Sequence, residues 1–339
     1  MSNTHRYAVI LFCTLIGLLA NATKTNAQKE GKDRQYVEPI NPLIAIRPYI
    51  KQNVDFYTIG DRDGEMKPLM YRTASGVSFG GQFTFKFFNF SYERTMPLLQ
   101  PKLTESFQPV YQQFGLGFEG RSFGMSFNLA EYKGFVLQNR SQIPDSLYSD
   151  VESVVYRQDM RAKSFNAALR FTFSRSVSAK ALFEQSERQK RSAGAFGMML
   201  AEKFVELRSD SSFVPAHIQD QFSETATMNR LWINNIQLMV GYGYIAAAAD
   251  GKLNAGLFMY TGSGPQIRQW SGDDGRKRSL RFPAVAKVRA GLALNGKYIY
   301  GRIIGDFDYT TMGMKDSRMR WWETYWEVSV GFRLYSNKK

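Results

Sequence analysis

This sequence predicts an all-β fold: a transmembrane antiparallel β-barrel of the outer-membrane type, with about 12 strands and a range of 10 to 14. Three observations predict it. The chain is 44% hydrophobic and 14% aromatic, yet its apolar residues alternate with polar ones instead of forming the ~20-residue runs that spanning helices need. The alternating stretches are long, as a tilted strand crossing an apolar band of ~25 Å requires. Finally, the face opposite the apolar one is rich in Gly, Ser, Asn and charge, which suits a lumen better than the solvated face of a sandwich.

The one extended apolar run is Tyr7 to Ala20. It follows Arg6 and precedes two small-residue patterns, Ala20-Asn21-Ala22 and Thr25-Asn26-Ala27. A basic start, a short apolar core and a small residue at the cut define a secretory signal. Residues 1–27 are therefore expected to be removed after Ala27, and residues 28–41 to form a periplasmic N-terminal tail. Cys13 leaves with the signal; Leu11 and Phe12 before it do not match a lipoprotein cut. The mature chain then has no thiol for a disulfide, a metal or a nucleophile. His5 leaves too, so His217 is the remaining imidazole and no metal site or cofactor is expected. Loss of Arg6 and Lys24 brings the formal charge from +14 to +12. The basic residues are scattered and the chain is exported, which argues against nucleic acid. At an outer membrane the same charge suits lipid and lipopolysaccharide phosphates.

The barrel is expected over residues 42–336, with a first strand from Leu43 to Tyr57. On Val77 to Lys86, Val77, Phe79, Phe83 and Phe85 alternate with Ser78, Gln82, Thr84 and Lys86. Successive side chains of a strand face opposite sides, so this strand is apolar outward and polar inward. Phe88, Phe90 and Tyr92 repeat the pattern, as do Phe114 to Phe118, Phe123 to Leu129 and Phe165 to Phe173. Ile236 to Tyr244, Ala286 to Leu294 and Trp322 to Leu334 follow. Aromatic residues gather at Phe85–Phe90, Tyr298–Tyr300 and Trp321–Trp326, as interfacial girdles do. Short turns are expected near Lys86, Gly120, Ser174–Ser176, Asp250-Gly251 and Asn295-Gly296. Longer polar links are expected at Asp61–Lys67, Met96–Phe107, Gln138–Arg161, Leu207–Arg230, Gln269–Ser279 and Thr311–Met319. Short periplasmic turns and long outer loops give 12 strands if Ser178 to Glu206 counts once, with both termini periplasmic. That stretch is long for one strand and polar from Glu184 to Arg191. It holds either two strands and a turn, or one strand with an inward excursion.

Gln185-Ser186-Glu187-Arg188-Gln189-Lys190-Arg191-Ser192-Ala193-Gly194 and Asp210-Ser211-Ser212-Phe213-Val214-Pro215, with the closing aromatic strand, resemble an uncharacterised outer-membrane barrel family of Bacteroidota-type bacteria (domain of unknown function 4421). The resemblance implies a barrel over nearly the whole mature chain and brings no reaction, ligand or site residues.

Two constellations bear on function. His217 lies near Ser211, Ser212, Ser223, Asp210, Asp220 and Glu224, but the spacing fits no nucleophile motif, so no catalytic residue is assigned. The inward charges form a candidate lumen network: Arg170, Lys180, Lys287, Arg289, Arg302, Asp306, Asp308, Glu323 and Glu327, with Glu93, Glu119, Glu184, Glu187, Arg188 and Arg333. Such charges either brace the interior as ion pairs or form a constriction that selects solutes; bracing is preferred. Arg276-Lys277-Arg278 reads as an outer loop able to meet lipopolysaccharide. The expected protein is not an enzyme but a narrow porin-like pore or a structural membrane protein. A lipid-modifying barrel enzyme, or an anchor for a periplasmic or surface partner of unknown identity, remains the alternative.

Overall fold

The computed structural model describes residues 35–40, 42, 44–61, 68–74, 76–96, 98, 109–138, 155–222, 227–272, 275–313 and 317–335. The expected signal (1–27), most of the tail and parts of the long loops lie outside them. In chain order the strands are β1 (Val37–Pro39), β2 (Ile44–Asp61), β3 (Leu69–Thr73), β4 (Val77–Phe85), β5 (Phe88–Thr95), β6 (Val110–Glu119), β7 (Phe123–Leu137) and β8 (Val155–Thr172). A short helix α1 (Ala179–Phe183) and β9 (Glu187–Gln189) precede β10 (Ala193–Arg208). Then come β11 (Arg230–Ala248), β12 (Leu253–Ser263), β13 (Gln266–Gly272), β14 (Gly275–Arg281), β15 (Ala284–Asn295), β16 (Ile299–Gly313) and β17 (Ser317–Leu334).

Twelve of these form a closed antiparallel ring: β2, β4, β5, β6, β7, β8, β10, β11, β12, β15, β16 and β17, with β17 paired back to β2. Closure satisfies every ladder edge, a condition for crossing hydrocarbon. Within each strand the alternation points as the sequence predicts. Leu238, Val240, Leu292, Ile303 and Val330 face outward and are between 49% and 59% exposed, whereas Lys51, Glu93, Lys203, Arg302, Asp306 and Glu327 face inward and are buried. A water-soluble protein rarely exposes so continuous an apolar surface. No helix among the described residues is long and apolar enough to cross a membrane. Val240 sits midway along the outward apolar run of β11, so Val240→Arg is expected to cost about 2–4 kcal/mol of stability in lipid vesicles. A denaturant titration measures it; a loss under ~0.5 kcal/mol would place this face outside the hydrocarbon.

Four tight reversals and both ends of the ring's chain (Ile44 and Leu334) share one rim, which also carries the longer β8–β10 connection; the remaining links, long except for the three residues between β16 and β17, share the other. At the first rim, Lys86 adopts φ 55 and Gly251 φ +76 in tight reversals. At the loop rim, β3 pairs with both β2 and β7, bridging above β4, β5 and β6. The β7–β8 register shifts between Lys133 and Phe135, where β7 passes from pairing with β6 to pairing with β3. Two details differ from the sequence expectation. Tyr300 and Trp321 lie in the expected aromatic girdles but have inward parity and are buried; Trp322, one step along, faces out and stacks on Phe56 at 5.3 Å. The segment expected as a loop around Arg276 is instead the β13–β14 hairpin, with Trp270 buried in a core cluster on one face and Ile267 paired with the exposed Leu280 on the other.

Candidate functional site

The lumen is filled from both rims. At the turn rim the chain leaves β8, folds inward as α1 and β9, and returns as β10; of the two possibilities left open for this stretch, the structure has the inward excursion. Ser178 caps the helix, its hydroxyl accepting from the Ala181 amide. Leu182 and Phe183 are buried against inward residues of the far wall, including Phe258, whose ring lies 5.4 Å from that of Phe183. Glycine makes the space, for a Cβ on Gly256 would sit 2.8 Å from Leu182. Polar latches hold the rest. Gln185 donates to the carbonyls of Gly301 at 2.8 Å and Leu294 at 3.1 Å. Asn295 donates to Ala181 O at 3.0 Å, and Arg333 donates to Gln185 O. The strand β1, inside the expected tail, pairs with β9 and adds Lys190 N to Tyr36 O at 2.7 Å.

At the loop rim, a second cluster fills the mouth. The link after β10 was expected to be a polar outer loop, but its scattered apolar residues Phe213, Val214, Ile218 and Phe222 are buried with Tyr57, Tyr71, Phe135 and Trp321. Tyr71 donates to Phe213 O. The nearby serines are held differently from a nucleophile. Asp159 accepts from Ser209 at 2.5 Å, Ser211 at 3.0 Å and Arg157 at 2.9 Å, so the hydroxyls serve a carboxylate that an arginine already neutralises. His217 falls in a 3-10 turn, Ala216–Gln221; its side chain lies outside the described residues.

Between the two plugs is a polar cavity of about 280 Å³. Most of the charges predicted for the lumen meet there as ion pairs. Arg170 bonds Glu119 at 2.7 Å; glycine at 124 leaves that pair its space. Arg302 bonds Glu327 at 2.8 Å. Lys287 lies 3.0 Å from Asp306 and 3.4 Å from Asp308, while Arg289 lies 3.4 Å from Asp306. The Arg289 guanidinium also covers the Phe183 ring at 3.9 Å, tying the network to the inner plug. Lys180, Glu184, Glu187 and Arg188 are the exceptions: they lie on the excursion of α1 and β9 instead of the barrel wall.

Sequence reasoning missed three wall cations. Lys203 of β10 reaches across the lumen to Glu323 of β17 at 2.7 Å and Asp308 of β16 at 3.7 Å, with its ammonium 3.9 Å from the centre of the Trp321 ring. Lys51 bonds Glu93 at 2.8 Å, and Arg47 donates to Gln82 and to Phe183 O. Parity is the signal that finds Lys203 once β10 starts at Ala193: Ala195, Met199, Ala201, Lys203 and Val205 share one face. Among the described residues no group of acidic, histidine or cysteine side chains is arranged to hold a metal ion.

A closed antiparallel ring that is apolar outside and ion-paired within defines a transmembrane β-barrel of the outer-membrane class. The chain belongs to the family Domain of unknown function (DUF4421), whose model matches residues 31–300. No curated protein matches it in sequence. Among solved structures it is similar to the translocator domain of autotransporter NalP from Neisseria meningitidis (10% identity, 96% of this chain and 99% of that one, TM-score 0.37). Others are the outer membrane protease OmpT from Escherichia coli (7%, 88% and 98%, 0.35) and the P. putida toluene transporter TodX (9%, 87% and 91%, 0.32). These likenesses are too distant to carry an argument about this chain; its fold rests on its own ring closure and faces.

Proposed function

We propose that this is a non-enzymatic, exported outer-membrane barrel whose lumen is braced shut, a structural membrane protein and not an open pore. The observation that carries the proposal is the filling of both mouths by folded links, with ion pairs such as Lys203–Glu323 crossing the space between them. Charges removed from water are tolerated only when paired and hydrogen-bonded, and here the pairing also ties opposite walls together. A selective constriction instead needs sites weak enough to release an ion. Cleavage of the export signal after Ala27 belongs to the same proposal.

Planar-bilayer recording tests it. The intact protein is expected to stay silent across applied voltages. A variant with residues 175–192 replaced by a tight turn, and the loop after β10 shortened as well, is expected to conduct in discrete steps. The first replacement is sterically simple, because Phe173 N already bonds Phe196 O at 3.0 Å and the flanking strands are paired. Discrete steps from the intact protein would overturn the proposal in favour of a pore. In that case reversing Lys287 and Arg289 should shift ion preference.

A further inference from the structure

The cross-strand register brings basic residues together on the outside of the barrel. Lys133 of β7 pairs with Arg161 of β8, Arg161 with Arg208 of β10, and Arg208 with Arg230 of β11. The row continues through Ser271 of β13 to Arg276 of β14. Directly opposed residues lie about 5 Å apart on one face of a sheet, so five cations stand in one ladder across six strands. All four arginines are exposed. The sequence shows only the Arg276 end of this ladder, since its residues are scattered over more than a hundred positions.

The rows on either side give the ladder its chemistry. One step toward the turn rim, Lys163 and Arg278 add charge, against the two carboxylates of Glu131 and Glu206. Glu206 is shared by Arg208 at 2.6 Å and Arg230 at 2.7 Å, so it neutralises one of two cations. Among the described residues no carboxylate lies within ion-pair distance of Arg161, Arg276 or Arg278. One step further the ladder turns largely apolar, with Leu129, Phe165, Phe204 and Leu280, and Leu280 and Phe282 are well exposed. Between Arg230 and Arg276 the surface is recessed, by about 430 Å³, beside Trp232 and Trp270. Cations above, an aromatic at the boundary and apolar side chains below match an amphiphile that has phosphate on its head and acyl chains beneath.

We propose that this ladder is a binding site for a phosphorylated glycolipid of the outer leaflet, lipopolysaccharide, whose phosphates are gripped by Arg161, Arg230 and Arg276 while its acyl chains lie along the apolar row. The ladder lies at the loop rim, away from the ring's chain ends, which puts it in the leaflet where that lipid resides. Arginine suits the task because its planar fork meets phosphate through two donors at once.

The test uses the full-length protein refolded in detergent, with lipopolysaccharide binding followed by native mass spectrometry. Each juxtamembrane cation is worth about 1 kcal/mol toward an anionic lipid surface, so Arg161→Glu/Arg230→Glu/Arg276→Glu, which removes three cations and adds three anions, is expected to weaken binding by at least about a hundredfold. The Arg→Lys version of the same triple keeps the charge but loses the two-donor fork, and should bind more weakly than the wild type yet at least about tenfold more tightly than the Glu triple. Lys86→Glu/Lys252→Glu/Lys297→Glu, an equal charge change at the turn rim, should leave it within about threefold. Heat-modifiable gel mobility verifies folding; if the triple does not fold, Arg161→Gln and Arg276→Gln singly should each lower affinity about fivefold. The site is ruled out if the loop-rim variants bind like the wild type, if the turn-rim triple loses as much, or if dephosphorylated lipopolysaccharide binds equally well.

Discussion

Lys203→Met is expected to destabilise the barrel by about 3–5 kcal/mol, the usual cost of stranding a buried charge by removing its partner. Lys203 neutralises Glu323 at 2.7 Å and shares Asp308, at 3.7 Å, with Lys287. Lys203, Lys287 and Arg289 balance Glu323, Asp308 and Asp306, so loss of one cation leaves a net negative charge in a narrow space. Adding Glu323→Gln restores the balance, and the double variant is expected to recover most of the loss, since a neutral isosteric replacement of a buried pair is often nearly neutral. Denaturant titration in detergent or vesicles gives both numbers, and their non-additivity measures the coupling. A single-variant loss below about 1 kcal/mol would mean that water in the cavity screens these charges as it does surface pairs. The bracing role would then fail.

The second large effect belongs to the inner plug. Phe183 is 2% exposed, packed on Phe258 and covered by Arg289. Truncating such a ring costs about 3–5 kcal/mol where the site cannot collapse, and the wall, held by its own ladder, has no freedom to follow. Phe183→Ala should therefore release the excursion without unfolding the ring. Trypsin is expected to cut it at Lys180 or Arg188, which lie on the seated excursion in the native protein, while the strands keep their resistance. If those peptide bonds stay protected, the latches of Gln185, Asn295 and Arg333 suffice by themselves and the aromatic contact is secondary.

The ring was legible in the sequence because its physics is local. On β11 and β15 each residue's neighbour along the chain already states which side is lipid and which is lumen, so Lys287, Arg289, Asp306, Asp308, Glu323 and Glu327 could be placed inward by parity alone. The plugs were not legible for the same reason. A helix of five residues has too little length for a period to show, and Glu184 to Arg191 looks like solvated loop because the groups that satisfy it, such as Asn295 and Arg333, lie more than a hundred residues away. The outer plug is harder still: Val214, Ile218 and Phe222 have a helix-like spacing of four, but over a stretch too short and too polar to mark it as a buried element. Lys203 was hidden because the excursion before it obscured where its strand begins. The outward arginine ladder depends wholly on register, which no single stretch of chain contains.

The excursion between β8 and β10 leaves and re-enters the ring at the same rim. It is a cork on a two-stranded leash: its departure breaks side-chain latches and the seating of α1, but need break none of the hydrogen bonds that knit the twelve staves. What it would drag along is β1, bonded to β9 on one side and continuous with the N-terminal segment on the other. A pull on the chain ahead of Val37 thus loads the β1–β9 pairing, and with it the cork, before it reaches β2 of the cask through residues 40–43.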